Sequence, residues 1–177
     1  SRLARWHFVP TETAKTNLLR EGVSVEQILV TGNTGIDALL EIVRTSELPS
    51  DITLDKQKKC IVVTAHRREN FGEPMARIVA AIDQIAREHP DVQIVFPVHP
   101  NPEVKKMVSI LEGRDNILLT APLSYSHFVA LMAHACLLLT DSGGVQEEAP
   151  ALCKPVLVMR ESTERPEAVQ AGVVRLV

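Results

Sequence analysis

The sequence predicts an α/β fold in which a parallel β-sheet carries helices on both of its faces. Short apolar runs rich in β-forming residues alternate with helical patterns along the main part of the chain. This alternation is typical of strand–helix–strand units, whose parallel strands are covered by the connecting helices. The chain has 177 residues and is 45% hydrophobic, which is enough for one well-buried core or for parts of two smaller ones.

In the main domain, strands and helices are predicted to follow one another in order. The strands are predicted in CIVVTAH, VQIVFPVHP, NILLT, CLLLT and PVLVM. The helices are predicted in MARIVAAIDQIAREHP, PEVKKMVSILEG, SHFVALMAHA and GVQEEAPALC, with a further helix starting near Arg165. Upstream, RWHFVPT and QILVTGNT are predicted to be strands around the helix TETAKTNLLREG, and GNTGIDALLEIVRT enters another helix. The polar stretch 46–58 between the two parts is predicted to be a linker.

Charge and composition argue against several classes of function. A net charge of -3 and a pI near 6.1 provide no basic field for nucleic acid. The sequence shows neither a signal peptide nor an apolar run of membrane-spanning length, so no membrane association is expected and the cytoplasm is the default compartment. The chain opens with Ser1 and stops inside the apolar run GVVRLV, so we expect a piece of a longer protein.

Cysteines and histidines give no sign of a metal site. Cys60, Cys136 and Cys153 are odd in number, widely spaced and set in apolar runs. They are predicted to be reduced core residues rather than disulfide partners or zinc ligands. The six histidines form no three-ligand pattern, so no metal is predicted.

Unusual residues gather where the predicted strands of the main domain end. In an open parallel sheet, ligands bind beyond the carboxyl ends of the strands, where loops and helix N-termini converge. Four of these ends carry charged, histidine-containing or glycine-rich segments: TAHRRENFG, VHPNP, TDSGG and MRESTERPE. The sequence therefore predicts a ligand site at this edge of the sheet.

The segment TDSGGVQEE is the best candidate for an anion site. Gly143 and Gly144 allow a ligand to approach the backbone closely, and the helix that follows presents free N–H groups to a phosphate or diphosphate. Ser142 is interpreted as a helix cap, a phosphate donor or both. Glu147 and Glu148 either compensate the helix dipole or accept hydrogen bonds from sugar hydroxyls. A glycine-rich turn without any ligand is the open alternative.

Two further segments supply cations and a histidine pair. His66 and Arg67 lie in HRREN, and His66 and His99 occupy equivalent ends of successive strands, which favours a functional role over a solvated loop with Asn70 as a cap. In RESTERPE, Arg165 is either an anion ligand or part of a salt-bridged helix start.

Phe128 is a candidate to stack on a planar base. It lies at the start of a predicted helix in a chain with only 3% aromatic residues. Core packing is the alternative for a helical phenylalanine. The sequence alone leaves both interpretations open.

Taken in order along the chain, TGNTGIDAL, TAHRRENFG, VHPNP and TDSGGVQEEAPALCKPVLVMRESTERPEAV closely resemble the non-hydrolysing UDP-N-acetylglucosamine 2-epimerases of bacteria. The resemblance implies one half of a two-Rossmann-domain, glycosyltransferase-B-like architecture. Residues 59–177 would be a UDP-binding Rossmann-like domain that lacks its C-terminal tail. Residues 46–58 would be the linker, and residues 1–45 would come from the end of the first domain and the interdomain region.

The activity that the resemblance implies is the reversible C2 epimerisation of UDP-GlcNAc to UDP-ManNAc by elimination of UDP and re-addition. No redox or metal cofactor is implied, and the acid and base carboxylates would come from a first domain outside this chain. A homodimer is expected for the full-length protein, and the isolated segment is expected to be inactive. A hydrolysing epimerase, a UDP-sugar glycosyltransferase and a nucleotide-binding module without catalysis stay open as alternatives.

The resemblance also implies roles for residues of the matching motifs. His66 is implied to be catalytic and, with Arg165, to bind phosphate near the leaving oxygen. Arg67 and His99 are implied to face a second UDP-GlcNAc that acts as an allosteric activator. The other implied contacts are those of the diphosphate with Ser142, Gly143 and Gly144, of the ribose with Glu148, and of the uracil with Phe128.

Overall fold

A computed structural model describes residues 3–177, which fold into two compact units divided between Leu39 and Leu40. The two strands of the first unit, β1 and β2, pair in parallel. The division falls within helix α2 (Thr34–Val43). The strands and α-helices before it are β1 (His7–Val9), α1 (Glu12–Arg20) and β2 (Ile28–Val30), so that four elements precede residue 44 when α2 is included. All four coincide with strands and helices that the sequence predicts.

The second unit is built on a six-stranded parallel sheet with the strand order β5-β4-β3-β6-β7-β8. Each of its strands coincides with an apolar run of the sequence, because side chains on both faces of a covered sheet must be apolar. The strands are β3 (Lys59–Thr64), β4 (Val92–Pro97), β5 (Ile117–Thr120), β6 (Leu137–Thr140), β7 (Val156–Val158) and β8 (Val174–Leu176).

Five helices connect these strands, as the sequence predicts. In the longest, the buried residues Met75, Val79, Ile82 and Ala86 recur at helical spacing and form one apolar face. Within residues 3–177, no helix combines the length and the apolar content that crossing a membrane requires. The helices are α3 (Glu73–Glu88), α4 (Pro102–Val108), α5 (Tyr125–His134), α6 (Val145–Ala151) and α7 (Pro166–Gln170).

Helices cover both faces of the larger sheet. Ile61 and Val63 of β3 belong to a core cluster with residues of α3 and α4. Successive residues of a strand point to opposite faces, so Val62 points the other way. Val62 is nevertheless fully buried, and α5 contacts β3. The predicted parallel sheet with helices on both faces is therefore confirmed.

The strand order places one switch point in the sheet. From β3 the chain builds outward through β4 to β5, and it then returns to add β6 on the other side of β3. In doubly wound sheets, ligands bind in the crevice that forms where the order reverses in this way. The loops that follow β3 and β6 start at that point, and they contain the segments HRREN and TDSGG.

The polar stretch 46–58 contains no helix or strand, but it is packed against the sheet. Ile52 is buried, the side chain of Gln93 in β4 accepts a hydrogen bond from the backbone N–H of Asp55, and it donates one to the carbonyl of Thr53. The domain boundary at 46–58 stays a prediction.

The expectation that all three cysteines lie in the core is correct for one of them. Cys60 is buried in β3, and burial raises its pKa to about 11. Cys136 and Cys153 are exposed, so the expectation is wrong for both. Cys136 precedes the first residue of β6, and Cys153 lies in the turn after α6 with a left-handed backbone (φ 57°).

Candidate functional site

The candidate site lies at the switch point between β3 and β6. Thr64 and Thr140 are register partners at the carboxyl ends of these strands, and their hydroxyl groups are hydrogen-bonded at 2.6 Å. The hydroxyl of Thr140 also accepts a hydrogen bond from the backbone N–H of Ser142 at 3.0 Å. The loops that follow β3 and β6 therefore start side by side.

Asp141 is fully buried and fixes the loop after β3. Its Oδ2 accepts hydrogen bonds from the backbone N–H groups of His66 (2.9 Å) and Arg67 (2.8 Å) and from the side-chain amide of Asn70 (3.0 Å). Asn70 is itself buried, so its interpretation as the cap of a solvated loop is wrong, although Arg68 and Glu69 beside it are exposed. A single carboxylate thus sets the conformation of the HRREN segment.

His66 is oriented by the same carboxylate. Its Nδ1 lies 3.1 Å from Oδ1 of Asp141 in an ion pair without hydrogen-bond geometry, and this contact raises the pKa of His66 above its ordinary value, although burial and the charge of Arg67 oppose the shift. Burial raises the pKa of Asp141, but the hydrogen bonds from His66 and Arg67 outweigh burial and lower it. With Nδ1 held by Asp141, Nε2 is the ring nitrogen that a ligand can reach.

His66 and His99 come together as their positions at successive strand ends predict. Their rings stack with centroids 5.9 Å apart and an angle of 22° between the planes. Both histidines line a cavity of about 220 Å³ together with Phe128 and Ser142. Phe128 is half-buried in the wall of this cavity rather than fully buried in the core.

Two guanidinium groups lie against the glycine turn. A Cβ atom built on Gly143 would lie 3.4 Å from Nη2 of Arg67 and 3.5 Å from Cζ of Arg165. Arg67 is held there by a hydrogen bond from its Nε to the carbonyl of Asp141 at 3.1 Å. Two cations therefore converge on one backbone segment, an arrangement suited to binding an anion such as a diphosphate.

The side chain of Arg165 is held by carboxylates. Its Nε lies 2.6 Å from Oε1 of Glu147, and its Nη1 lies 3.4 Å from Oε2 of Glu164. Glu147 therefore does more than compensate the helix dipole, because it fixes the orientation of a predicted phosphate ligand. The salt-bridged interpretation of RESTERPE and its ligand interpretation apply to the same arginine.

Arg160 ties the loop after β7 to the loop after β3. Its side chain is only 6% exposed, and its Nε lies 2.7 Å from Oε1 of Glu69. Its two Nη atoms each donate a hydrogen bond to Glu164 at 3.0 Å, and these bonds lower the pKa of Glu164 to about 2. The bidentate pair and its link to Glu69 stabilise the relative position of the two loops.

Glu148 has a partner in α5. The hydroxyl of Tyr125 donates a hydrogen bond to Oε1 of Glu148 at 2.9 Å. Partial desolvation of the phenol and this hydrogen bond raise the pKa of Tyr125 to about 12, although the residue as a whole is 44% exposed. Glu148 is half-buried, and its other carboxylate oxygen, Oε2, takes no part in the bond to Tyr125.

The interpretation of Ser142 as the cap of α6 is wrong. The helix begins at Val145, and Gly144 is its N-cap residue without a side-chain capping bond. The Ser142 side chain instead lines the cavity next to His66. In residues 3–177, no group of three or more His, Cys, Asp or Glu side chains is placed to hold a metal ion.

Comparison with known proteins gives the family. The family model for UDP-N-acetylglucosamine 2-epimerase matches residues 1–177. The chain belongs to this family. The resemblance found in the sequence motifs is thereby confirmed, and so is the Rossmann-like fold class.

Relatives of this epimerase family match the chain along nearly its whole length. The UDP-N-acetylglucosamine 2-epimerase of Yersinia pestis is 55% identical over 185 residues, which cover 99% of this chain and 49% of the relative. The crystal structure of the enzyme from Neisseria meningitidis bound to UDP-GlcNAc is 44% identical with a TM-score of 0.90, over 99% of this chain and 50% of that one. The Methanocaldococcus jannaschii enzyme in complex with UDP-GlcNAc and UDP is 35% identical with a TM-score of 0.81, over 99% of this chain and 51% of that one. The chain thus spans about half the length of these epimerases.

The motifs shared with the epimerase family do not reveal every residue that organises the site. Asp141 and Tyr125 received no role from the sequence, although Asp141 directly follows an apolar strand and precedes the glycine turn. An acidic residue directly after an apolar strand is the sequence signal that could have revealed Asp141, because a carboxylate that is buried there must find partners. Gln146 was also missed, and nothing in the sequence distinguishes it from a solvent-exposed helical residue.

Proposed function

We propose that this chain forms the UDP-binding half of a UDP-GlcNAc 2-epimerase, which interconverts UDP-GlcNAc and UDP-ManNAc. The convergence of Arg67 and Arg165 on the backbone of Gly143 is the observation that supports this most directly. The Neisseria meningitidis relative binds UDP-GlcNAc, and the Methanocaldococcus jannaschii relative binds UDP-GlcNAc and UDP. A nucleoside diphosphate carries the negative charge that two convergent guanidinium groups attract.

The diphosphate would lie on the turn Ser142–Gly144. Backbone N–H groups and the Ser142 hydroxyl would donate to its oxygens, and Arg165 would neutralise its charge. His66 would face the oxygen that leaves C1, because its Nδ1 is occupied by Asp141 and its Nε2 can donate a proton. The raised pKa of His66 favours the protonated ring that such a role requires.

The nucleoside would lie across the start of α5 and α6. Phe128, in the cavity wall, offers a flat face for the uracil. Glu148 would accept hydrogen bonds from the ribose hydroxyls through the oxygen that Tyr125 does not occupy. Tyr125 would then hold the carboxylate in place before the nucleotide arrives.

The proposed reaction consists of an elimination and an addition. Removal of the C2 proton and cleavage of the bond between C1 and the phosphate oxygen give 2-acetamidoglucal and UDP. Return of UDP to C1 and of a proton to the opposite face of C2 give the epimer. The residues of this chain would stabilise the departing diphosphate and hold it in place for its return, and the overall reaction needs no redox or metal cofactor.

A second UDP-GlcNAc is proposed to act as an activator through Arg67 and His99. Arg67 lies against Gly143, and His99 stacks on His66. Both residues therefore contact the proposed substrate site itself. An activator bound to them would act on the orientation of His66 and on the charge around the diphosphate.

The remaining parts of the proposal concern the whole protein. Residues 1–45 would belong to the end of a first domain and the interdomain region, with 46–58 as the linker, and that first domain would supply the acid and base carboxylates. The isolated chain would then bind the nucleotide but not catalyse epimerisation. We propose a cytoplasmic homodimer for the full-length protein.

Calorimetric titration of this chain with UDP, UDP-GlcNAc and GDP tests the proposal. We expect binding that is selective for uridine nucleotides and is weakened about tenfold or more by Glu148→Ala or Arg165→Ala, the loss that a charged hydrogen-bonding group typically causes. Arg44→Ala and Glu41→Ala are matched controls, because both side chains are 74% exposed and pair only in a surface ion pair. Equal binding of GDP, or no binding at all, would contradict the proposed site.

Turnover distinguishes the epimerase from its alternatives. The full-length protein is expected to convert UDP-GlcNAc into UDP-ManNAc with UDP retained in the product. Release of free ManNAc and UDP would instead indicate a hydrolysing epimerase. Robust epimerase activity of the 177-residue chain alone would show that the carboxylates lie within it.

A further inference from the structure

Gln146 is fully buried, although it lies in the first turn of a helix next to the glycine turn. Its side-chain Nε2 donates a hydrogen bond to the carbonyl of Ser142 at 3.2 Å, and its Oε1 accepts one from the hydroxyl of Thr163. A buried amide is retained only where its polar atoms find partners, because unpaired ones are strongly destabilising. Gln146 satisfies this condition by joining two separate loops.

The connection continues to the backbone of Arg165. The hydroxyl of Thr163 accepts a hydrogen bond from the backbone N–H of Arg165 at 3.1 Å. Three hydrogen bonds therefore run from the carbonyl of Ser142 through Gln146 and Thr163 to Arg165. We refer to these four residues as the Gln146 bridge.

The bridge holds the main chain at Arg165, which the ion pairs of the Arg165 side chain do not hold. Glu147 and Glu164 hold the guanidinium group, but neither holds the main chain from which the 35% exposed side chain extends. A long arginine side chain on an unconstrained loop has many rotamers, and ordering them on binding lowers affinity. The bridge places the backbone of Arg165 at a set distance from the turn whose Gly143 it contacts.

We propose that Gln146 is a positioning residue that presets Arg165 for the diphosphate by linking the turn at Ser142 to the Arg165 segment. This inference rests on the proposed UDP site. It predicts that breaking the bridge weakens the diphosphate contribution to binding, while uridine, which does not reach Arg165, binds as before. A residue that merely fills the core would change the binding of both ligands alike.

The decisive substitution is Thr163→Val, which keeps the shape of the side chain and removes the hydroxyl. We expect UDP to bind about tenfold more weakly and uridine to bind with unchanged affinity, since tenfold corresponds to about 1.4 kcal/mol. Thr163→Ser keeps the hydroxyl and is expected to restore UDP affinity. Ser162→Ala, at an exposed neighbouring position, is the control for a change in the same loop.

Gln146→Glu provides a second test at the centre of the bridge. The carboxylate keeps an acceptor for Thr163 but loses the donor to Ser142, and we expect the same selective loss of UDP affinity if the variant folds. Thr163→Val keeps the inference testable if Gln146→Glu does not fold. Equal losses for UDP and uridine, or unchanged UDP affinity in Thr163→Val, would overturn the positioning role.

Amide hydrogen exchange separates a failure of this inference from a failure of the proposed function. Without ligand, the segment around Arg165 is expected to exchange faster in Thr163→Val and at the parental rate in Thr163→Ser. If exchange does not respond, the bridge does not order the segment and the inference fails, whatever binds. If exchange responds as expected and the parental chain binds no UDP, the proposed function fails while the ordering by the bridge stands.

Discussion

Asp141 and His66 form a pair in which Oδ1 of the carboxylate lies 3.1 Å from Nδ1 of the imidazole. Oδ2 of the same carboxylate accepts the backbone N–H groups of His66 and Arg67, so one buried group fixes both the ring and its loop. The contact between the two side chains raises the pKa of His66 and helps to lower the pKa of Asp141 against the effect of burial. The pair therefore favours a protonated His66 whose Nε2 is directed away from Asp141.

We predict that the stabilisation provided by His66 is lost as the pH rises. The pKa of His66 is raised in the folded chain above its ordinary value of 6.5, so folding is favoured below that value and the contribution disappears as pH increases through the folded pKa. Urea unfolding of the parental chain and of His66→Ala from about pH 6 to about pH 9 checks this. The difference in unfolding free energy between the two should shrink across that range, and a constant difference would contradict the prediction.

Asp141→Asn is expected to lower the pKa of His66 towards its ordinary value, because the anionic acceptor of Nδ1–H is lost. The three groups that donate to Oδ2 would then face either the neutral amide oxygen, which is a weaker acceptor, or the amide NH2, which accepts no hydrogen bond. We therefore expect the unfolding free energy to fall by about 2 kcal/mol. Titration of the His66 ring by NMR measures the pKa, and urea unfolding measures the stability. An unchanged titration in a folded variant would show that Asp141 does not control His66.

Tyr125 offers a direct spectroscopic measurement, because it is the single tyrosine in the chain. We predict that its phenol ionises at about 12, first because the phenol is partly desolvated and second because of the hydrogen bond to Glu148. Glu148→Gln removes the negative acceptor and should lower the pKa. The phenolate absorbance band followed against pH gives the value, and titration at the ordinary tyrosine pKa in the parental chain would contradict the hydrogen bond.

The order of strands and helices could be predicted because the residues of each element form a recognisable pattern within their own short segment. The apolar run of β3 and the spacing of Met75, Val79 and Ile82 in α3 are properties of short segments. The pairing of β3 with β6 could not be predicted in the same way. Their register partners Thr64 and Thr140 lie 76 positions apart, and nothing local specifies which strand returns beside β3.

The sequence predicts which segments form the candidate site, but not which of their side chains bond to one another. Strand ends and the glycine turn locate the edge where a ligand binds, since loops after parallel strands meet there. Which carboxylate holds Arg165 depends on how α6 and the loop after β7 pack, so the sequence offers Glu147 only the helix dipole or sugar hydroxyls as partners. Gln146 was missed for the same reason, because its burial arises from a loop 17 positions away.

Gly143→Ala is predicted to fold normally and to lose affinity for UDP. The backbone of Gly143 is not left-handed, and the added methyl would lie 3.4 Å from Arg67 and 3.5 Å from Arg165, both of which are flexible side-chain ends. We expect the unfolding free energy to change by less than about 1 kcal/mol. UDP affinity should fall about tenfold or more, because the methyl occupies the space between the two cations.

Thermal unfolding and calorimetry on the same sample of Gly143→Ala check both parts of this prediction. Retained stability with retained UDP affinity would mean that the diphosphate does not lie between Arg67 and Arg165. Lost stability would mean that the turn itself requires glycine. Only the combination of a stable fold and weak binding agrees with a close approach of the ligand to this backbone.

Arg160 is predicted to stabilise the fold more than an ordinary surface arginine does. Its side chain is 6% exposed and bonds Glu69 and both oxygens of Glu164, whereas Arg44 and Glu41 form a single contact at 3.4 Å with both side chains 74% exposed. A double-mutant cycle on Arg160 and Glu164 is expected to give a larger coupling free energy than the same cycle on Arg44 and Glu41.

Arg160→Lys distinguishes the geometry of this group from its charge. A lysine keeps the positive charge but cannot donate in the bidentate fashion or reach both carboxylates with a planar fork, so most of the coupling should be lost. Urea unfolding at low and high salt completes the test. Coupling retained in Arg160→Lys and abolished by salt would show that charge alone acts. Coupling lost in Arg160→Lys and little changed by salt would show that directed hydrogen bonds hold the two loops together.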